Sequence, residues 1–446
     1  MKNHLQKAAL TLGLILSLVS FAQDKNVLPA KKDGFFWGVA NSAFQVEGEP
    51  IDSDWLRWTQ TTGKIADGTN ADEASRFWKR YDEDFKLAKE LGSNAFRISI
   101  AWERIEPRKG EWDEKALQHY EDIIRAMRDR GLEPIVTLHH FTLPGWLTDT
   151  GGLLSSDFVP EFTAYAKKVV TRLSTPPANV TYWMTFNEPM ILVNAAYLAG
   201  EWPPGHKDDS KGCIEAAAQL ARAHISSVRE IRALKNPAIK ISIAKHWRPF
   251  EAKGGPIDWI TAKMTDWVFN RQMMTALTTG KLLFWMPGAN LVRETIDLPE
   301  GRSTLDYLGI NYYGRSVISF VMKAPFIKNE EGSGPRNDLN WEIYPEGLYK
   351  TLMDVKQYNL PIVISENGIA DASDKNRAQF LKDHLFQMNR AIQEGALVRG
   401  YLHWSLTDNF EWAKGLAPRF GLVEIDYKTG ERKPRPSFQV YKSLIH

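Results

Sequence analysis

The chain has 446 residues, 43% hydrophobic and 25% charged, values of a folded globular protein that exclude a disordered one. Lys and Arg number 56 against 54 Asp and Glu, so no basic field draws nucleic acid. The one cysteine, Cys213, excludes an intrachain disulfide and a cysteine-built zinc site.

The first element in chain order is a leader. Lys2 and Lys7 begin a basic start, and Ala8 to Ala22 is mostly apolar. Ser20 and Ala22 stand at the −3 and −1 positions of a cut after Ala22, the pattern of a secretory signal over residues 1–22. The apolar run is shorter than the ~20 residues that a membrane helix needs. The alternatives are an uncleaved anchor or a first core helix. With cleavage the protein is exported, to the periplasm or outside; it touches the membrane only if the leader stays. Cleavage removes two lysines and no acid, leaving a formally neutral chain.

From about residue 35, β-rich runs alternate with helical stretches. The strands are predicted at Phe35–Val39, Asn94–Ile98, Glu133–Leu138, Tyr182–Phe186, Lys240–Ile243, Tyr307–Ile310, Ile362–Ser365 and Gly400–His403. Phe77, Tyr81, Phe85, Ala88 and Leu91 mark one apolar helix face. Asn70 or Glu73 is placed to cap it and Gly92 to end it. A second helix carries Leu117, Tyr120, Ile123, Ile124 and Met127 and ends at Gly131. Lys323–Asn340, with two prolines and two glycines, reads as a surface loop. Eight such units define an α/β fold, a single (β/α)8 TIM barrel over residues 23–446. An open doubly wound sheet is the alternative, weakened by the lack of G-x-G-x-x-G in the first βα region.

In such a barrel the chemistry sits at the carboxyl ends of the strands. Polar residues collect there: Gln45 and Glu47 in the first unit, Arg97 in the second, His139 and His140 in the third, Asn187 and Glu188 in the fourth. Asn311 and Tyr313 follow in the sixth, Glu366 and Asn367 in the seventh, Trp404 in the eighth. Glu188 and Glu366 stand on strands four and seven, where two carboxyls can flank one glycosidic bond. His139 and His140 are neighbours on a strand and point oppositely, so they do not form a metal site. No metal and no cofactor is expected.

Several segments carry a resemblance. They are Phe36-Trp37-Gly38-Val39-Ala40, Gln45-Val46-Glu47-Gly48, Arg97-Ile98-Ser99-Ile100-Ala101-Trp102-Glu103-Arg104-Ile105 and Thr185-Phe186-Asn187-Glu188-Pro189. Leu308-Gly309-Ile310-Asn311-Tyr312-Tyr313, Trp341-Glu342-Ile343-Tyr344-Pro345-Glu346-Gly347, Ser365-Glu366-Asn367-Gly368 and the run from Trp404 to Trp412 follow in order. With these, the chain resembles the family 1 glycoside hydrolases, of β-glucosidase and β-galactosidase type, from about Gly34 to the end.

The resemblance implies a retaining exo-β-glycosidase with Glu188 as acid/base and Glu366 as nucleophile. Arg97 and Tyr313 would then hold Glu366 ionised, and the Glu188 carboxyl should titrate high in the free enzyme. It implies that Asn187 meets the sugar 2-OH, that Gln45, His140, Glu411 and Trp412 meet the other hydroxyls, and that Trp404 floors the ring. Asn311 and Phe141 are further expected substrate contacts. Two departures stand out in His139-His140-Phe141-Thr142-Leu143-Pro144: Phe141 replaces the family's usual tryptophan and Thr142 its aspartate. The first loses an indole N–H donor. Glu411, as a carboxylate, argues against phosphorylated sugars by repulsion. The expected partner is a small β-glycoside or oligosaccharide, with terminal glucosyl, galactosyl or fucosyl residues as substrates. The alternatives are a transferase using the same glutamates, or a non-enzymatic sugar- or protein-binding relative, which typically lacks one of them.

Overall fold

A computed structural model describes residues 28–445 except Glu73, Ala324 and Pro325. The predicted leader lies outside the described residues. Eight parallel strands close into a barrel in sequence order. They are β1 Phe36–Ala40, β2 Ala95–Ser99, β3 Glu133–His139, β4 Tyr182–Asn187, β5 Lys240–His246, β6 Leu308–Tyr312, β7 Ile362–Asn367 and β8 Val398–Trp404. β1 pairs with β8 from Phe36 opposite Gly400 to Ala40 opposite Trp404, which closes the ring. The first ring position is crowded. A Cβ on Gly38 would lie 2.2 Å from the Ala95 carbonyl oxygen, so only glycine lets β1 meet β2 there.

Two cores hold the barrel. Inside it pack Ala40, Ala95, Ile135, Met184, Ala244, Val363 and Leu402, inward-facing residues of seven strands. Outside, the opposite strand faces meet the helices. α1 Phe77–Leu91 buries Phe77, Phe85, Ala88 and Leu91, and Gly92 in the left-handed region stops it. The expected cap differs: Arg76 precedes α1 and its side chain makes no capping bond, donating instead to Tyr427 O and Lys428 O, while Asn70 accepts from Asp72 N. Glu73 lies outside the described residues. α2 Glu114–Asp129 is capped by Asp113, whose carboxylate accepts from Lys115 N and Ala116 N. α3 Phe158–Leu173 and α4 Ser210–Arg232 pack against each other, and Cys213 is buried in α4, its thiol pushed up to about 12 by burial.

The chain leaves the barrel pattern between β5 and α7. α5 Pro256–Asp266 and α6 Gln272–Thr279 follow β5, and α7 Pro345–Val355, α8 Arg377–Gln393 and α9 Pro436–Leu444 complete the helices beside the later strands. A small sheet joins Phe250–Ala252, Ser316–Phe320 and Ile327–Glu330. The expected loop 323–340 is therefore partly a strand, paired antiparallel from Val317 opposite Glu330 to Phe320 opposite Ile327. The rest folds around Glu342, which accepts from Gly334 N and binds Arg315. A Cβ on Gly332 would strike that carboxylate at 2.1 Å, so the glycines serve the close approach rather than looseness. Among the described residues, no helix is long and apolar enough to cross a membrane.

Candidate active site

Strand alternation alone would not aim both glutamates into one space. β4 and β7 each break register near their carboxyl ends. Met184 and Asn187 pair with Ser242 and Ala244, so β4 holds one residue more than β5. Ile364 and Glu366 pair with consecutive Ile310 and Asn311, so β7 holds one more than β6. Such bulges re-aim the side chains beyond them. Glu188 then takes a left-handed backbone (φ 42°, ψ 56°), with its N–H fixed on Ala244 O at 2.7 Å. Asn187 and Glu188, neighbours in sequence, thereby face the same space. Next to Glu366, a Cβ on Gly368 would lie 1.7 Å from the Trp404 carbonyl, which lets β7 end against β8.

A fully buried arginine ties the two strands together. Arg97 lies in the middle of β2 and not at its end, as expected from sequence, and reaches up through the barrel. Its Nη1 donates to Glu366 Oε1 at 2.5 Å, its Nη2 to Asn187 Oδ1 at 2.8 Å and its Nε to Thr137 Oγ1 at 3.0 Å. Tyr313 donates its hydroxyl to Glu366 Oε2 at 2.7 Å, so each oxygen of Glu366 has one donor. Asn311 donates to Glu188 Oε1 at 2.7 Å and to Asn187 Oδ1 at 3.1 Å, and Ser365 Oγ donates to Asn311 Oδ1. His246 Nδ1 lies 3.2 Å from Glu188 Oε1.

Above this network opens a cavity of about 310 Å³. Gln45, His140, Phe141, Asn187, Glu188, Tyr313, Glu366, Trp404, Glu411 and Trp412 line it. Arg97 and Asn311 do not line it; they lie beneath and brace its floor, so the expected direct contact of Asn311 with substrate is replaced by a hold on Asn187 and Glu188. The His140 ring stacks on Trp404 (5.9 Å) and on Trp412 (6.0 Å), and its Nε2 meets Asn187 Nδ2 at 3.0 Å. The Gln45 amide donates to Asn409 Oδ1 and Phe410 O, its nitrogen lying 3.5 Å from Glu411 Oε2. His139 turns away toward Phe162 and Phe186. Glu47 also leaves the site, pairing with Arg104 at 2.7 Å and accepting from Tyr120. Thr142 donates to Glu103 and is not part of the wall.

Trp202 lines the cavity from a loop that the sequence assigns to the aglycone pocket, whereas His246 and Trp341, which also line it, have no role in the sequence reading. His246 had a signal. The apolar run predicts a fifth strand that stops at Ile243 and so carries no polar end. β5 continues through Lys245 to His246, which lies opposite Asn311 on β6.

Burial dominates the electrostatics. It raises Glu366 to about 7, against the pull of Arg97 and Tyr313 and with a further rise from the Glu188 charge. Burial raises Glu188 too, but His246, Asn311 and Arg97 outweigh it and hold the group below the ordinary carboxylate range. This reverses the order expected from sequence, and the unforeseen His246 is the cause. The two carboxyls are coupled, the charge on Glu188 holding the Glu366 carboxyl up. Burial, then the charges of Glu366 and Glu188, raise Glu411 to about 8. Glu411 is thus an acid at neutral pH, and its expected repulsion of phosphate holds only above about pH 8. Burial pushes Lys245, behind His246, down to about 7. Among the described residues no group of His, Cys, Asp and Glu is placed to hold a metal.

A closed parallel barrel with two buried carboxyls in one aromatic-walled cavity at its strand ends has the layout of a glycoside-cleaving enzyme. Residues 27–446 match Glycosyl hydrolase family 1, and the chain belongs to that family. It is 33% identical over 446 residues to β-glucosidase A of Acetivibrio thermocellus, covering 92% of this chain and 97% of the relative. A family 1 β-glucosidase structure from Thermotoga maritima superposes with a TM-score of 0.85 at 31% identity, covering 93% and 97%. A glutamate-to-glutamine mutant of a rice β-glucosidase, in a covalent complex with Glc, superposes with a TM-score of 0.86 at 28% identity, covering 93% and 98%. The protein is an O-glycosyl hydrolase of the β-glucosidase type.

Proposed function

We propose that the protein is a retaining, exo-acting β-glycosidase that removes terminal non-reducing β-D-glucosyl residues, and galactosyl or fucosyl ones, by double displacement. The observation that carries the reading is the contrast between the two buried glutamates of one cavity. Glu366 has a fixed cation and a phenol on its two oxygens, while Glu188 leaves Oε2 without a protein partner among the described residues.

In the first step Glu366 attacks the anomeric carbon, the C–O bond to the leaving group breaks, and Glu188 gives its proton to the departing oxygen. In the second, Glu188 takes a proton from water, which attacks the same carbon and releases Glu366. Two inversions return the β configuration. The pair must hold its single proton on Glu188 for the first step. Arg97 and Tyr313 favour the charge on Glu366. Asn187, fixed by Arg97 and Asn311, is set to meet the 2-OH. Gln45, His140, Glu411 and Trp412 meet the other hydroxyls, and Trp404 floors the ring. The covalent Glc complex of the rice relative fits such an intermediate. Residues 1–22 act as an export signal in this reading, so the substrate is met outside the cytoplasm.

The test is hydrolysis of p-nitrophenyl β-glucoside, β-galactoside, β-fucoside and β-mannoside, with Glu366→Gln beside the wild type. Turnover with retained configuration, lost in the variant, is the expected result. A folded protein that turns over none of the four would overturn the reading. N-terminal sequencing of exported protein should begin at Gln23; a start at Met1 would remove the cleavage reading, and protein found only in the cytoplasm would remove the export reading.

A further inference from the structure

His246 sits at the end of β5 and is buried. Its Nδ1 faces Glu188 Oε1 at 3.2 Å, and Asn311 Nδ2 faces the same oxygen at 2.7 Å. Nε2 of the ring is buried with no hydrogen-bond partner among the described residues, which favours the ring hydrogen on Nδ1; Oε1 then meets two donors and is a poor place for a hydrogen. The ring is held by two aromatic neighbours. It stacks on Tyr313 at 5.9 Å and 24° and packs edge-to-face with Phe269 at 5.9 Å and 89°. Tyr313 is the donor to Glu366, so one imidazole touches the supports of both carboxyls.

We propose that His246 is a positioning residue for general acid catalysis: with Asn311 it occupies Glu188 Oε1 and confines the mobile proton to Oε2, which has no hydrogen-bond partner among the described residues. The proposal rests on the double-displacement reading and refines it. The charged and titratable groups around the ring are few. Glu188 faces it from the end of β4 and Tyr313 from beyond β6. On its own strand, Lys245 sends its ammonium back to the His246 carbonyl at 2.5 Å, over the Phe269 face at 4.7 Å. Arg248 is taken up by Glu331. Arg97 and Glu366 act across Glu188 and Tyr313.

The role has a signature. A leaving group that needs no proton does not use Oε2, whereas a poor one depends on it. A donor to the carboxylate form also favours ionisation, so its loss should raise the Glu188 titration. The experiment compares kcat/KM for cellobiose and for 2,4-dinitrophenyl β-glucoside against pH in wild type, His246→Phe and His246→Asn. In His246→Phe the cellobiose value should fall about tenfold or more and the dinitrophenyl value by no more than about twofold, since a full general acid is worth about 10²–10⁴. The alkaline limb should move to higher pH. His246→Asn, which keeps a donor, should recover cellobiose cleavage to within about threefold of wild type, only a small part of what a general acid contributes. Equal losses on both substrates with an unmoved alkaline limb would overturn the proposal and leave His246 a packing residue. A wild type inactive on both substrates would instead remove the double-displacement reading, and the proposal with it.

Discussion

The ends of β4 and β7 carry the same chemical group in two different settings. On β7, Glu366 is clamped by Arg97 and Tyr313, one donor to each oxygen, and burial holds the Tyr313 phenol well above its ordinary titration. On β4, Glu188 is held on one oxygen only, by an amide and by an imidazole that can gain a proton. A fixed clamp suits a group that must stay charged and aimed. An adjustable one suits a group that must take and release a proton within each cycle. The difference comes from neighbours on β2, β5 and β6, not from the glutamates themselves.

Removing the clamped side should cost most. Glu366→Gly should lower hydrolysis by about 10⁴-fold or more, while the variant makes β-glycosides from an α-glycosyl fluoride. Near-full hydrolysis in it would exchange the roles or dissolve them. Glu188→Ala should lose about 10²–10⁴ in kcat/KM on poor leaving groups and far less on activated ones. Azide should rescue the activated substrates and give a β-glycosyl azide, and equal loss on every leaving group would speak against an acid role.

Loosening the clamp without breaking it should have a middle effect. Tyr313→Phe takes a charge-assisted hydrogen bond from Glu366, about tenfold to a hundredfold in kcat. Because the lost donor favoured the ionised form, the acidic limb of the pH–rate profile should move to higher pH; an unmoved limb would mean that Arg97 alone fixes the charge.

The smallest effect concerns stability. Folding raises the Glu411 carboxyl from 4.5 to about 8. The folded form therefore binds the proton more tightly, so its contribution is complete below pH 4.5 and is lost as pH rises through about 8. Glu411→Gln removes that loss. Its Tm should match the wild type near pH 4 and exceed it by about 2 °C or more at pH 9. A constant offset across pH would place the effect in packing instead.

Much of this site was legible in the residues. The eight strands lie within a few residues of their predicted places, because short β-rich runs between helical periods announce a parallel barrel. What failed locally failed for identifiable reasons. Ile327–Glu330 reads as loop because its polar composition suits an edge strand as well as a turn, and only its partner Ser316–Phe320 selects between them. β5 looked shorter than it is because Lys245 and His246 break the apolar run, although both are buried in the fold. Asn311, expected at the substrate, is turned under the floor by its bond from Ser365.

The sequence by itself determined the barrel, the two glutamates and most of the residues around them, because periodicity and residue chemistry are local properties of the chain. The tertiary structure alone decided which neighbours set their charges. Arg97 acts from mid-strand, two bulges turn Glu188 and Glu366 into one cavity, and His246 arrives from beyond the predicted end of the fifth strand. Titration in a buried site depends on distances of a few ångströms between residues far apart in sequence, and that proximity exists only once the barrel has closed.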